Sequence, residues 1–297
     1  MSKELRAEWR FGRGWSEREL ASRLEKYRHA DVNFHAEGSH IPTGPQWKRY
    51  YTQAIIAHEK PGPPEPGGAF EKAWKLIEGY QFSDPGIVKA HYDPRDPLVG
   101  RTMLLELQVM GFRFLCGTRV TFDRSMNEES ETSLGYRYDT LQGHIEAGSE
   151  WFMLTKLHQT GEIRFRIHAS WKLGVFPNWW SRMGFLVMGE HYQLAWHRLA
   201  YLRLRHFLDS DNQYKLAPVP VGRELVHTDA DDADSDLWIL RTHRPAMQAG
   251  ILGGKKSHGV ERIDQAGGKG DEAKRIERIG KGSHRRRNHR NSKYGGT

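Results

Sequence analysis

One imidazole and two carboxyl groups fall close together in this chain. His144, Glu146 and Glu150 lie within residues 135–152, GYRYDTLQGHIEAGSEWF. Histidine titrates near neutral pH, and beside a carboxylate it can move protons to and from a bound molecule. These three are the candidate catalytic residues. They could in principle hold a metal, but their spacing matches no strong ligand motif, so neither a metal nor another cofactor is expected. The same residue types also suit a tight connection between strands. There His144 and Glu146 would bond backbone groups, and Gly143 and Gly148 would supply unusual dihedrals. A second set points to binding rather than reaction. Tyr136 and Tyr138, two residues apart, share one face of a strand. With Thr140, His144, Phe165 and Trp171 they form the candidate ligand-binding residues: rings for an apolar wall, hydroxyls for orientation. The competing reading of the aromatics is ordinary core with satisfied phenols.

Strands must position most of these residues. Residues 162–172, EIRFRIHASWK, alternate: Ile163, Phe165, Ile167, Ala169 and Trp171 inward; Arg164, Arg166, His168 and Ser170 outward. Residues 112–122 alternate too, with Phe112, Phe114, Cys116, Thr118, Val120 and Phe122 on one side. Residues 102–109, 134–141 and 150–158 complete a set of strands, and Thr160-Gly161 makes a turn. Period two with one apolar side predicts an antiparallel sheet covered on one face. Arg164 or Arg166, though outward, could reach Glu150. The cover is a helical stretch over residues 179–208, opened by Pro177-Asn178. Trp179-Trp180 are expected to anchor it at the sheet rim, and Met183 and Val187 to join its apolar residues. Gly184 and Gly189 could bend it or split it. Upstream, Ser16 with Glu19 forms a capping box for a helix running to about Tyr27. Helices are also expected over residues 46–58 and 70–79, either side of the Pro/Gly-rich PGPPEPGG.

Charge is distributed unevenly. The net charge is +8, yet residues 255–297 hold 13 Lys/Arg against 5 Asp/Glu, while the remaining 254 residues carry 32 of each sign. The folded part is balanced, so a basic nucleic-acid-binding core is excluded. A nucleic acid or acidic surface is a candidate partner for residues 255–297 only. Cys116 is the single cysteine, which excludes an intrachain disulfide. It falls in the inward register and reads as a small buried apolar residue rather than a nucleophile. The absence of a long apolar run argues against a membrane span, and the chain reads as cytoplasmic. No Ser-His-Asp set or phosphate loop stands out, and Gly-Arg-Gly at residues 12–14 lacks the flanking strand of a dinucleotide fingerprint. The expected organisation is a helical extension over 1–30, the sheet-and-helix domain over 31–208, an acidic, weakly ordered linker over 209–254 and a disordered basic tail over 255–297.

The 135–152 block resembles the signature of the DUF1990 family of bacteria and plants, close to Y-G-T-L-x-G-H-P-E-x-G-E-E-x-F. Tyr138, Thr140, Leu141, Gly143, His144, Glu146, Gly148, Glu150 and Phe152 match it, whereas Asp139, Ile145 and Ser149 stand where the family has Gly, Pro and Glu. The resemblance covers about 31–208. It implies a fold similar to the helix-grip arrangement of START and birch-pollen-allergen proteins, which hold hydrophobic ligands between a curved sheet and a long C-terminal helix. It implies no activity, and the serine at 149 removes one of the family's paired acids. The expectation is thus an α+β protein, a curved antiparallel sheet against a long C-terminal helix. It would bind a small hydrophobic or amphipathic ligand between the two. The alternatives are an enzyme using His144 with Glu146 or Glu150, and a nucleic-acid-associated protein acting through its tail.

Overall fold

Alternating apolar residues and one long helix set the architecture. The structure is a computed structural model that describes residues 5–35, 38–209, 226–227 and 260–262. In chain order the elements are β1 (Glu8–Phe11), α1 (Glu17–Arg28), β2 (Lys48–His58), α2 (Ala69–Glu78), β3 (Val88–Tyr92), β4 (Thr102–Val109) and β5 (Phe112–Asn127). They continue with β6 (Glu131–Thr140), β7 (Glu146–Leu157), β8 (Glu162–Leu173), α3 (Trp179–Leu208), β9 (Val226–His227) and β10 (Val260–Arg262). The strands form one antiparallel sheet in the order β10-β2-β8-β7-β6-β5-β4-β3-β9. β5 is longer than either neighbour can cover. Its second half pairs with β6 from Thr118 onward, and β1 pairs with Phe112–Leu115 along the edge left over. The fold is the expected α+β arrangement, a sheet gripped by a long C-terminal helix.

The inner face carries the core. Phe152 and Phe165, both fully buried, pack with Phe82 at ring distances of 4.9 and 5.2 Å. From α3, Trp196, Leu199, Ala200, Tyr201 and Leu204 close over them, and from α2, Phe70, Ala73 and Ile77. α3 spans the expected residues as one helix, and the Asn178 side chain caps it by accepting from the Ser181 N–H at 2.9 Å. Its long reach anchors distant backbone. Arg205 donates to the Ile55 carbonyl at 2.6 and 2.8 Å, where a bulge in β2 leaves that oxygen outside the ladder.

Several expectations are corrected. Residues 48–58 are a strand, not a helix: Thr52, Ala54 and Ile56 are buried in alternation and pair with β8. The outer face of the sheet is also covered. α1 lays Leu20, Leu24 and Tyr27 on Leu104 and Leu115, and its capping box forms as the sequence predicts. Residues 5–30 therefore belong to the sheet domain rather than extending from it. The loop after α1 covers the next strands. Ser170 donates to the Pro42 carbonyl at 2.6 Å, and Arg137, 1% exposed, donates to the Gly38 and His40 carbonyls and to Asp139. Phe122 leaves the face of Phe112, because a bulge after Val120 shifts the register and sets Phe122 opposite Arg137, whose guanidinium lies over its ring. Trp180 does anchor α3, 5.0 Å from the rings of Trp9 and Phe112, but Trp179, Met183 and Val187 are exposed. Arg164 pairs with Glu162 on its own strand, and Glu150 points to the opposite face.

All described residues lie in one unit, Met1–Arg262. Of the expected linker and tail, β9 pairs with β3 and β10 with β2; the remainder of 210–297 lies outside the described residues.

Candidate functional site

A cavity of about 310 Å³ lies between the inner face of β4–β7 and the first half of α3. The sequence explains why the space is left empty. Where α3 crosses these strands it presents Ser181, Gly184 and Gly189 among the lining residues, too small to fill the gap. About two turns beyond Gly189, Trp196 bounds the cavity and Leu199 packs into the core. The walls are apolar: Leu105 and Leu107 from β4, Phe112 and Phe114 from β5, Trp180 and Phe185 from α3. Met110 stands at the rim. It and Gly111, both at positive φ, form the two-residue turn joining β4 to β5.

The polar groups of the lining gather on β6, β7 and their surroundings. His144, Glu146 and Glu150 all line the cavity, as does Tyr138. The sequence placed Glu146 in a connection; it is the first residue of β7, and Glu146 and Glu150 share a face because their separation is even. The connection itself is short and built around Gly143. Its φ of +85° suits glycine, and a Cβ there would fall 2.6 Å from the Leu5 backbone. Gly148 serves differently, letting β7 approach Ser170 and Trp171 of β8 closely.

Each polar group is in a defined state. The Nδ1 of His144 accepts the Glu146 backbone N–H at 2.9 Å, which leaves the hydrogen of the neutral ring on Nε2. Burial lowers its pKa to about 3. Burial, with the Glu150 carboxylate adding to it, pushes Glu146 up to about 8, so it is a neutral carboxylic acid at pH 7. Glu150 accepts from the Tyr138 hydroxyl at 2.5 Å through one oxygen. Its other oxygen lies 3.4 Å from Nε2 of His197 without hydrogen-bond geometry. The other ring nitrogen of His197 bonds the Thr52 hydroxyl at 2.9 Å, and Thr52 also meets Tyr201. Burial holds the phenols of Tyr80 and Tyr138 protonated.

The other sequence candidates sit beside the cavity rather than in it. Tyr136 is core and donates to the Ile77 carbonyl at 2.9 Å. Phe165 packs against Phe82 and Tyr201. Thr140 bonds Asn33 and both backbone groups of Gly148, fixing the start of β7. Trp171 packs edge-on against Phe185, a lining residue. Sequence reasoning missed Tyr80, Gln193 and Trp196, which complete the polar end. Tyr80 carries a local signal only in the structure. It follows the C-cap Gly79 of α2 with φ +58°, a left-handed conformation that is rare for an aromatic residue and is held here by the packing of its ring. Among the described residues there is no group of three or more His, Cys, Asp or Glu arranged to hold a metal ion.

The family described as "Domain of unknown function (DUF1990)" matches residues 28–201. No curated protein matches in sequence. Among solved structures, a hypothetical protein of Helicobacter pylori is similar at 12% identity and TM-score 0.34, the match covering 58% of this chain and 97% of that one. Ara h 8.0201 is similar at 10% identity and TM-score 0.33, covering 55% and 97%. The ginseng major latex-like protein 151 of Panax ginseng is similar at 10% identity and TM-score 0.33, covering 54% and 96%.

Proposed function

We propose that this chain, which belongs to the DUF1990 family, binds a small hydrophobic or amphipathic ligand between its sheet and α3. One observation carries the reading: the cavity of about 310 Å³ combines apolar walls with a polar cluster at one end. That volume is at the lower end of the range for small-molecule pockets, roughly 300–1,000 Å³. Transfer of apolar surface from water supplies the affinity, about 0.8 kcal/mol per buried methylene, and the polar cluster fixes orientation. Tyr138, His144, Glu146 and Glu150 touch the ligand. Tyr136, Thr140, Phe165 and Trp171 hold the walls in place. Native mass spectrometry of the purified full chain, paired with analysis of its organic extract, tests the reading. The expected result is a small molecule retained at one per chain, or one taken up from added medium-chain alcohols. A bare chain that takes up none would overturn it.

A second reading, acid–base catalysis, is favoured by the convergence of His144, Glu146 and Glu150 on one cavity. His144 is then not the base, since its Nδ1 is occupied and its ring is held neutral; Glu146 is the proton donor. Turnover that follows a single ionisation near pH 8 and is lost in Glu146→Gln would support it. Turnover unchanged by that substitution would remove it.

A further inference from the structure

The charge inside the cavity is unbalanced. Two carboxyl groups, Glu146 and Glu150, line it, and no lysine or arginine is among its described lining residues. The other polar groups of the described lining carry no positive charge. His144, beside Glu146, is neutral because its ring is buried, and Tyr80 and Tyr138 are neutral phenols. Gln193 and Ser181 on α3 are uncharged. His197 stands behind Glu150, outside the lining; Thr52 holds its Nδ1, and its Nε2 lies 3.4 Å from the second Glu150 oxygen without forming a hydrogen bond. Glu146 makes no ion pair among the described residues.

The hydrogen-bond inventory leans the same way. The second oxygen of Glu150, a residue 6% exposed, has no hydrogen-bond partner, nor does the buried amide oxygen of Gln193. The hydroxyl of Tyr80, 1% exposed, is near Tyr138 yet has no partner of good geometry. Buried acceptors without donors are unfavourable unless something fills the site. Aromatic side chains cluster at this end of the lining: Tyr80 lies 6.4 Å from Tyr138 and 6.5 Å from Trp196, ring centre to ring centre. A cation with several N–H donors meets each of these demands. It pairs with the carboxylates, donates to the orphan oxygens and rests against the rings.

We infer that the polar end of this cavity receives a protonated amine, so that the ligand is an amphipathic amine whose apolar body lies along Leu105, Leu107, Phe112 and Phe114. The inference rests on the proposed binding function and narrows it to a ligand class. An ammonium group beside Glu146 displaces the carboxyl proton, so binding is coupled to proton release below the ionisation of that acid.

The experiment compares octylamine, octanol and octanoate, matched in chain length, by calorimetric titration into the full chain near pH 7. Octylamine is expected to bind at least about tenfold more tightly than octanol, with octanoate weakest. Its affinity is expected to rise between about pH 6.5 and about pH 8 with release of a proton, while that of octanol stays level. In Glu146→Gln the preference for octylamine over octanol is expected to fall at least about fivefold. Octanol or octanoate binding as tightly as octylamine to the unmodified chain would overturn the inference alone. So would an amine preference that survives both Glu146→Gln and Glu150→Gln. Failure of all three compounds to bind would overturn the inference together with the reading beneath it.

Discussion

Glu146→Gln should change how the stability of the protein depends on pH, because the folded chain holds this acid protonated. Its pKa is about 8 in the fold against 4.5 for an unperturbed glutamate. Between these values the folded state binds a proton that the unfolded state has released, so stability falls as pH rises. The loss approaches about 1.4 kcal/mol per pH unit within that window. Allowing for partial ionisation near pH 8, it amounts to about 2 kcal/mol between pH 6 and pH 8. His144 acts in the opposite sense. Its pKa falls from 6.5 to about 3, so the unfolded chain gains a proton that the fold refuses, and stability falls as pH drops through that range. The two slopes cancel from about pH 4.5 to about pH 6.5, leaving a plateau, with losses on either side. Glu146→Gln removes only the alkaline term. In urea titrations at pH 6 and pH 8 the variant should gain about 2 kcal/mol relative to the unmodified protein, and its own stability should rise from pH 4.5 to pH 6.5. Parallel stability curves for the two proteins across pH 6–8 would refute the reasoning, since they would mean that Glu146 is already ionised in the fold.

Three further substitutions test other parts of the account. Gly184→Ala, mid-helix with no heavy atom within 4 Å of the added Cβ, should raise stability by about 0.5–1 kcal/mol in denaturant titration. Gly143→Ala should lower it by about 2 kcal/mol or more, because the added carbon meets the Leu5 backbone at positive φ; an effect below about 0.5 kcal/mol would mean the connection can move. Lys156→Ala should cost about 3–5 kcal/mol by the same assay, because the fully buried ammonium bonds Glu59 at 2.6 Å and the Pro63 carbonyl at 2.9 Å, and its loss leaves Glu59 buried without its cation.

What the sequence revealed follows from what local patterns encode. The strict alternation of Ile163, Phe165, Ile167, Ala169 and Trp171 locates β8, and Asn178 and the apolar content after it locate α3. β2 hides the same alternation in Thr52 and Ala54, whose small side chains give little periodic contrast, so Gln46 to His58 reads equally well as helix. β3 gives no period at all, because all five of its residues are buried between two covered faces. The outer cover was illegible for a related reason. Arg137 and Ser170 look solvent-facing by type, and only the loop that satisfies them reveals burial. In the site, His144, Glu146 and Glu150 were visible because one imidazole and two carboxyl groups fall within a few residues of one another; that β7 starts at Glu146, so that Glu146 and Glu150 share a strand face, was not. Tyr80 and Gln193 reach the same cavity from distant elements, and no local pattern reports that convergence. Tyr136 and Phe165 were read as lining because their strand face is correct, but Phe82 and the second half of α3 fill the space above them.

The central claim, a ligand held between the sheet and α3, is tested most directly by filling that space from the sheet side. Leu107→Trp adds a ring to a lining position while keeping the wall apolar. A neutral polarity-sensitive dye such as Nile red, titrated into both proteins, should bind the unmodified chain at one site, compete with octanol, and lose at least about tenfold in affinity in the variant. Dye and octanol affinities that are the same in the two proteins would place binding elsewhere and contradict the account.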